Sequence, residues 1–561
     1  MKMKFSYLFF CLGLVGSLSA QEKTRNLSVY IKPEKKYLVL PIKNGAAKRN
    51  GEIWVDGVKT RFFDFELAED TPDWYAYLQI DEWKGKEIEF RVDKIATGSK
   101  VFQPVIQSDL DTNSNTYGES IRGQIHFSPK RGWTNDPNGM VFYNGEYHLF
   151  YQHNPYGRNW GNMTWGHAVT KDLIHWTHLD DAIHPDQGGP VFSGGAVVDS
   201  ANTSGYGKDG KLPLVAFHTG ATGWGQYMSW STDGRIFENY DKAVVPRIHK
   251  DNRDPKVIWH EPSKKWVMVV WVERGDNEQH SMQFLTSADL KNWEKASVFM
   301  GGIGNDRYLF ECPEFYELPV DGNAGEKKWV LTGANTEYAI GTFDGKTFKA
   351  EEQRLQGQHG RDFYAPQTFS NDPTGRRIEL GWWRVNTALG NSNFQHGMSL
   401  PLEHKLVRTP KGIRLTRTPV KEVETLRGKT TNIKSFSVKE GGSNPLKALN
   451  SELAEIRFEL VPGKAKTVTI DVRGLPVVYN ADSSVLIVDG VKAPVTLDKG
   501  KLDVVIYVDR VGLEIFTNKG LMYMPINFNL KAENKGYSIS STGGTAKVNG
   551  FTFYELNSIY K

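Results

Sequence analysis

The stretch Thr170-Lys171-Asp172-Leu173-Ile174-His175-Trp176 returns three times further along the chain. The copies are Ser231-Thr232-Asp233-Gly234-Arg235-Ile236-Phe237, Ser287-Ala288-Asp289-Leu290-Lys291-Asn292-Trp293 and Thr342-Phe343-Asp344-Gly345-Lys346-Thr347-Phe348. Each has a hydroxyl residue, an aspartate two places later and a closing aromatic. Successive aspartates fall 61, 56 and 55 residues apart. A repeat of this period, filled with short strands and turn residues, predicts a β-propeller with four strands per blade. The span 123–425 accommodates five such blades. The repeat aspartates themselves read as structural: they tie a polar hairpin whose aromatic packs between blades.

Outward from the repeat, both flanks also read as β-structure. Residues 21–122 form a small N-terminal β module, with strand-like runs such as Tyr37-Leu38-Val39-Leu40 and Glu87-Ile88-Glu89-Phe90-Arg91-Val92 and a hairpin signal at Asp56-Gly57. Its Trp54, Trp74 and Trp83 are candidates either for sugar stacking or for the core, with the core favoured. The linker Ser108 to Asn115 is rich in acids and amides, yet lacks the glycine and the terminal glutamate of a calcium loop, so it reads as a polar connection. Residues 426–561, with alternating runs such as Thr467-Val468-Thr469-Ile470-Asp471-Val472, predict a β-sandwich. The fold expected is thus all-β: a small β domain, a five-bladed propeller and a C-terminal sandwich.

Residues 1–20 read as a secretory signal, with Lys2 and Lys4, an apolar run from Phe5 to Val15 and small residues up to Ala20. Export to the periplasm, the cell surface or the medium follows. Cys11 lies in that run without the small residues a lipoprotein signal wants before it. Loss of the leader leaves Cys312 alone, so no intrachain disulfide is available. The whole chain carries 69 Lys and Arg against 65 Asp and Glu. This near-balance gives no electrostatic reason to expect nucleic acid or an anionic membrane as partner. The apolar run is too short to span a bilayer. The chain holds 16 Trp, 23 Tyr and 29 Phe, whose flat faces suit both a β core and the CH surfaces of sugars.

Three segments of the propeller region stand out: Trp133-Thr134-Asn135-Asp136-Pro137-Asn138-Gly139, Arg253-Asp254-Pro255 and Glu311-Cys312-Pro313. Each sets an acid one or two residues before a proline, which favours extended backbone in the residue preceding it and interrupts strand pairing. Pro137-Asn138-Gly139 reads as a turn. Asp136, Asp254 and Glu311 precede the next repeat aspartate by 36, 35 and 33 residues. One phase in three blades means three positions on a ring about the propeller axis. If that place is the innermost strand, the acids converge. Neighbouring carboxylates raise one another's pKa, and glycoside hydrolysis uses that effect: one carboxyl stays protonated for the leaving oxygen while another attacks or stabilises the sugar cation. Arg253 is placed to hold a carboxylate ionised. Cys312 reads as a small buried neighbour. Phosphate-binding glycine loops and zinc spacings are absent from the sequence, so no cofactor and no metal are expected.

These segments resemble glycoside hydrolase family 32, the invertases, inulinases and levanases. So do Tyr151-Gln152-His153-Asn154-Pro155, Trp160-Gly161-Asn162-Met163-Thr164-Trp165-Gly166-His167, Phe192-Ser193-Gly194-Gly195-Ala196, Asp362-Phe363-Tyr364-Ala365-Pro366-Gln367 and Gly381-Trp382-Trp383. The resemblance spans about 120–561; the N-terminal module resembles extensions of gut-type bacterial fructan hydrolases. It implies a propeller followed by a sandwich, and a retaining β-fructosidase that frees terminal fructose from levan, inulin or sucrose. It implies Asp136 as nucleophile, Glu311 as general acid and base, and Asp254 as transition-state stabiliser. Asn135, Gln152, Trp160, Phe192, Ser193, Arg253 and Trp382 would bind substrate. The expected partner is a fructan or fructooligosaccharide, met by a monomer. A fructosyltransferase and a non-catalytic fructan-binding protein are the alternatives.

Overall fold

The computed structural model describes residues 23–113, 116–186, 188–275, 277–389 and 392–560. The expected signal segment, and Ser114 and Asn115 of the linker, lie outside them. The N-terminal module packs a four-stranded sheet, ordered Thr24–Ile31, Ile88–Ala96, Lys48–Val55 and Val58–Glu66, on a three-stranded one, ordered Trp74–Gln79, Tyr37–Ile42 and Gln107–Ser108. Alternation along Trp74–Gln79 and Ile88–Ala96 turns one face of each sheet inward, as period-two patterning requires. Trp74 and Trp83 join Leu38, Phe65 and Phe90 in that core. Trp54 is only half-buried on the outer face, with the Arg91 guanidinium 4.1 Å from its ring centre. The linker acids are paired with cations: Asp109 with Lys35, and Asp111 with Lys130 and Arg131.

Five blades follow. Their innermost strands are Gly132–Tyr143, Ala196–Val198, Asp251–His260, Glu314–Val320 and Phe363–Thr368. The ring closes where Phe394–Gln395, from the return loop of the fifth blade, pairs parallel with Gly132 and Trp133 of the first. The repeat aspartates are structural. Asp172 accepts from the backbone N–H of Ile174 and His175 and from the Thr170 hydroxyl. Asp233, Asp289 and Asp344 each accept from the backbone N–H groups two and three residues on. The closing aromatics span blades: Phe237 meets Phe150 at 5.5 Å, Trp293 meets Phe217 at 5.9 Å and Phe348 meets Phe299 at 5.3 Å.

The C-terminal sandwich sets a six-stranded sheet containing Ala454–Val461 and Leu502–Asp509 against a five-stranded sheet containing Thr467–Val472 and Tyr537–Thr542, over one apolar core. It is welded to the propeller by buried charge. His126, ahead of the first blade, lies 2.7 Å from Asp509 and 2.9 Å from Glu514 of the sandwich. Asp509 also accepts the backbone N–H groups of Gln124 and Ile125.

Two local readings are corrected. Pro137-Asn138-Gly139 is not a turn but lies inside the continuous strand Gly132–Tyr143. Its register against Glu146–Asn154 slips between Thr134 and Pro137 and again between Asn138 and Val141. A bulge leaves residues unpaired, so a proline without an N–H and a glycine at φ 53° are accommodated within the strand. Nor is the backbone before proline extended at the other two acids. Asp254 has φ 63° and Cys312 has φ 40°, because a bulge between Arg253 and Lys256, and the entry into Glu314–Val320, each require a sharp local reversal.

Candidate active site

The bulges have a chemical outcome. Left-handed backbone at a residue with a side chain costs about 1–3 kcal/mol and persists only where its surroundings enforce it. Here it turns Asp254 and Glu311 away from their ladders and toward the axis, while Asp136 leaves its ladder at the register slip between Thr134 and Pro137. Asp136 comes from the first blade, Asp254 from the third and Glu311, at φ 55°, from the start of the fourth. Cys312 lies between two of them. Its sulfur is 3.6 Å from Asp136 Oδ2 and 3.5 Å from Asp254 Oδ2, and its backbone N–H donates to Asp254 Oδ2 at 3.0 Å. Burial, with the surrounding carboxylates, pushes its thiol well above the ordinary range, so it remains a neutral spacer.

Each acid has its own partners. The Ser193 hydroxyl donates to Asp136 Oδ2 at 2.6 Å. Burial raises the Asp136 pKa, the Ser193 bond opposes the rise, and Glu311 adds to it. Asp254 is nearly inaccessible, at 5% exposed. Burial takes its pKa up to about 7; Arg253 opposes this, and Glu311 and Asp136 reinforce it. Glu311 Oε1 accepts from Nε and Nη2 of Arg253 at 3.1 and 2.5 Å, and Oε2 accepts from the Tyr364 hydroxyl at 2.6 Å. Burial alone would lower the Arg253 pKa, but Glu311, Asp254 and Asp251 raise it, so its charge is permanent. Tyr364 is held protonated by burial and by Glu311.

The remaining predicted residues fall on two walls and a floor. On one wall the rings of Trp160 and Phe192 meet edge-on at 6.0 Å, and Phe192 and Trp224 at 5.6 Å. The Arg253 guanidinium sits 5.6 Å from the Trp224 ring and 4.3 Å from the Trp271 ring. Opposite, Trp382 meets Trp133 at 6.0 Å and Tyr364 at 6.4 Å. Asn135 is buried and accepts from the Trp133 indole N–H at 2.9 Å. Gln152 is also buried, and its amide donates to Val191 O at 3.0 Å, which supports the segment carrying Phe192 and Ser193. Further along the inner strands, Lys256 meets Glu314 at 2.7 Å and Thr368 O at 3.2 Å, both within the protein interior. This cross-link of the third, fourth and fifth blades closes the axis beyond the acids.

Sequence reasoning missed Tyr364, Trp224, Trp271 and Thr219, whose hydroxyl accepts the Asp254 backbone N–H at 3.0 Å. For Tyr364 a signal existed. Ala365 precedes Pro366 at the start of the fifth inner strand and has φ 47°, so the fifth blade carries the same backbone device as the third and fourth, with a phenol near the acids. Thr219, Trp224 and Trp271 lie on ordinary strands and turns, and no local pattern sets them apart.

Comparison with known proteins agrees with this geometry. Residues 126–419 match the glycosyl hydrolases family 32 N-terminal domain and residues 422–555 match the glycosyl hydrolases family 32 C terminal. The levanase of Bacillus subtilis (strain 168) is 38% identical over 494 residues, which are 80% of this chain and 72% of that protein. An extracellular exo-inulinase of Aspergillus awamori is 29% identical over 529 residues, covering 80% of this chain and 97% of that one. The crystal structure of exo-inulinase from Aspergillus awamori superposes with a TM-score of 0.70 at 28% identity, over 79% of this chain and 100% of that one. With both family domains matched in order across the propeller and the sandwich, this chain belongs to glycoside hydrolase family 32.

Proposed function

We propose that the protein is an exported, retaining exo-β-fructosidase that removes terminal fructose from fructans such as levan and inulin, and from sucrose. The observation that carries this reading is the meeting of three carboxyls from three blades about the Cys312 sulfur and the Arg253 guanidinium. The Asp136 carboxylate attacks the anomeric carbon of fructose while Glu311 passes its proton to the leaving oxygen, and a fructosyl-enzyme forms. Water then attacks that carbon as Glu311 takes back a proton, and fructose leaves with its configuration retained. Asp254 meets the fructose hydroxyls, where a buried carboxyl with a raised pKa serves as donor or acceptor. Asn135, Gln152, Ser193 and Arg253 shape the pocket for the first fructose, Phe192 and Trp382 wall it, and Trp160 stands at its rim beside the sugar joined to that fructose. Retention goes with Asp136 and Glu311 carboxyls about 5–5.5 Å apart. Export accords with the leader-like residues 1–20 and with the extracellular exo-inulinases among the relatives.

The test is hydrolysis of levan, inulin and sucrose by the mature chain, with products resolved by size. Fructose alone is expected. A ladder of oligomers would replace exo with endo action, longer products at high sucrose would indicate transfer to sugar, and tight binding without release would remove catalysis altogether.

A further inference from the structure

The wall containing Trp160 is not self-supporting. Trp160 tips a loop from Pro155 to Asn162 between two strands of the first blade, and it is 55% exposed. The N-terminal module grips this loop at its base. Asn162, at φ 49°, accepts the backbone N–H of Asp64 at 2.9 Å and donates to the Asp64 carbonyl at 2.8 Å. One side-chain amide thus satisfies both peptide groups of a residue on Val58–Glu66, an edge strand of the module's sheet, much as a neighbouring strand would. Asn162 also donates to Asn154 Oδ1 at 3.0 Å, and Asn154 in turn holds the Asn159 carbonyl at 2.8 Å, next to Trp160. At the other end of the loop, Tyr156 is buried in the module's core with its ring 4.3 Å from that of Phe63. On the far side Arg158 donates to the Ser392 carbonyl at 3.0 Å, in the return loop of the fifth blade.

We propose that the N-terminal module is a working part of the pocket: through Asn162 and Tyr156 it fixes the loop that presents Trp160, and so sets affinity for the sugar unit joined to the first fructose. Asn162 and Phe63 are positioning residues, acting through Trp160. The inference rests on the reading, given above, that Trp160 contacts substrate. An exposed indole at the rim offers a flat face to the CH surface of a pyranose or furanose ring only while its loop is held. Releasing the loop leaves the three acids in place, so the chemical step is spared and binding is not.

The experiment measures kcat and KM on sucrose, inulin and levan for the full mature chain and for Trp160→Ala, Asn162→Ala, Asn162→Asp, Phe63→Leu and the Trp160→Ala/Asn162→Ala double variant, with melting curves for each. Asn162→Ala is expected to raise KM by about three- to tenfold, the worth of one aromatic contact. Its kcat should stay within about twofold and its pH profile should not change. Asn162→Asp keeps the acceptor toward Asp64 but sets a carboxylate oxygen against the Asp64 carbonyl and Asn154 Oδ1, and should raise KM at least as far as Asn162→Ala. Phe63→Leu, wholly inside the module, should move KM the same way. The double variant should be no worse than Trp160→Ala, because the two act in series. A lowered melting point with unchanged KM in Asn162→Ala and Phe63→Leu, or additive effects in the double variant, overturns the inference. An unchanged KM in Trp160→Ala instead removes Trp160 from the binding reading, and absence of hydrolysis by the unaltered chain removes the functional reading itself.

Discussion

Asp254 shows what convergence costs a single residue. Its carboxyl titrates near 7 in the folded chain against an ordinary 3.8, chiefly through burial and then through Glu311 and Asp136. For an acid whose folded pKa is raised, the linked stability is full below 3.8 and is lost as pH climbs through 7. Asp254→Asn should therefore melt higher than the unaltered chain at pH 8, by on the order of 1–3 kcal/mol, with the gap closing by pH 4. Equal stability of the two at pH 8 would show that Asp254 ionises freely. The same site should lose kcat/KM on its alkaline limb near neutrality, as a property of the coupled acids rather than of one of them. On the proposed roles, Asp136→Asn and Glu311→Gln should each lower kcat by about 10³-fold or more with the fold intact, since an activated nucleophile and a proton shuttle are lost while shape is kept. Near-normal turnover in either would take that residue out of the chemistry.

At the scale of the strand, catalysis here depends on irregularity. Gly194 follows Ser193, and a Cβ on it would lie 1.9 Å from the Phe217 carbonyl oxygen. Gly194→Ala must push apart two backbone segments of the second blade. It is expected to destabilise the protein by about 1–3 kcal/mol and to lower kcat through displacement of the Ser193 hydroxyl from Asp136; calorimetry with steady-state kinetics checks both, and an unchanged kcat would show that Ser193 tolerates the shift. The shared phase of the three acids was legible because a blade is a fixed length of chain, so position within a repeat maps to position on a ring. The structural role of Asp172, Asp233, Asp289 and Asp344 was legible for a similar reason, since the hairpin that each ties is local. The conformation at Asp254 and Cys312 was not. Proline's preference for an extended predecessor is a local bias, and the bulges that overrule it are set by partner strands. Pro137-Asn138-Gly139 misled in the same way: turn chemistry and bulge chemistry call on the same residues. Tyr364 and the Trp224–Arg253 contact required the blades to be assembled in space.

For the whole molecule, the propeller and the sandwich share a buried ion triad. Burial would lower the His126 pKa, but Asp509 and Glu514 raise it to about 9. A histidine raised in this way contributes stability that is full below about 6.5 and is lost as pH rises through 9. The melting temperature should therefore fall between pH 6.5 and 9.5, and His126→Gln should flatten that slope, with a cost at pH 6 on the order of 2 kcal/mol. A slope unaffected by the substitution would place the alkaline weakness elsewhere. The parallel pairing of Phe394–Gln395 with Gly132–Trp133 has a further consequence, for biosynthesis. The strand bearing Asp136 is among the earliest parts of the propeller to leave the ribosome, and its edge at Gly132–Trp133 gains its partner only more than 250 residues later. Truncated or stalled chains therefore present that edge to other chains. On the proposed roles, Asp136 acquires its final setting only when the fifth blade arrives, so a nascent chain gains competence in one late step.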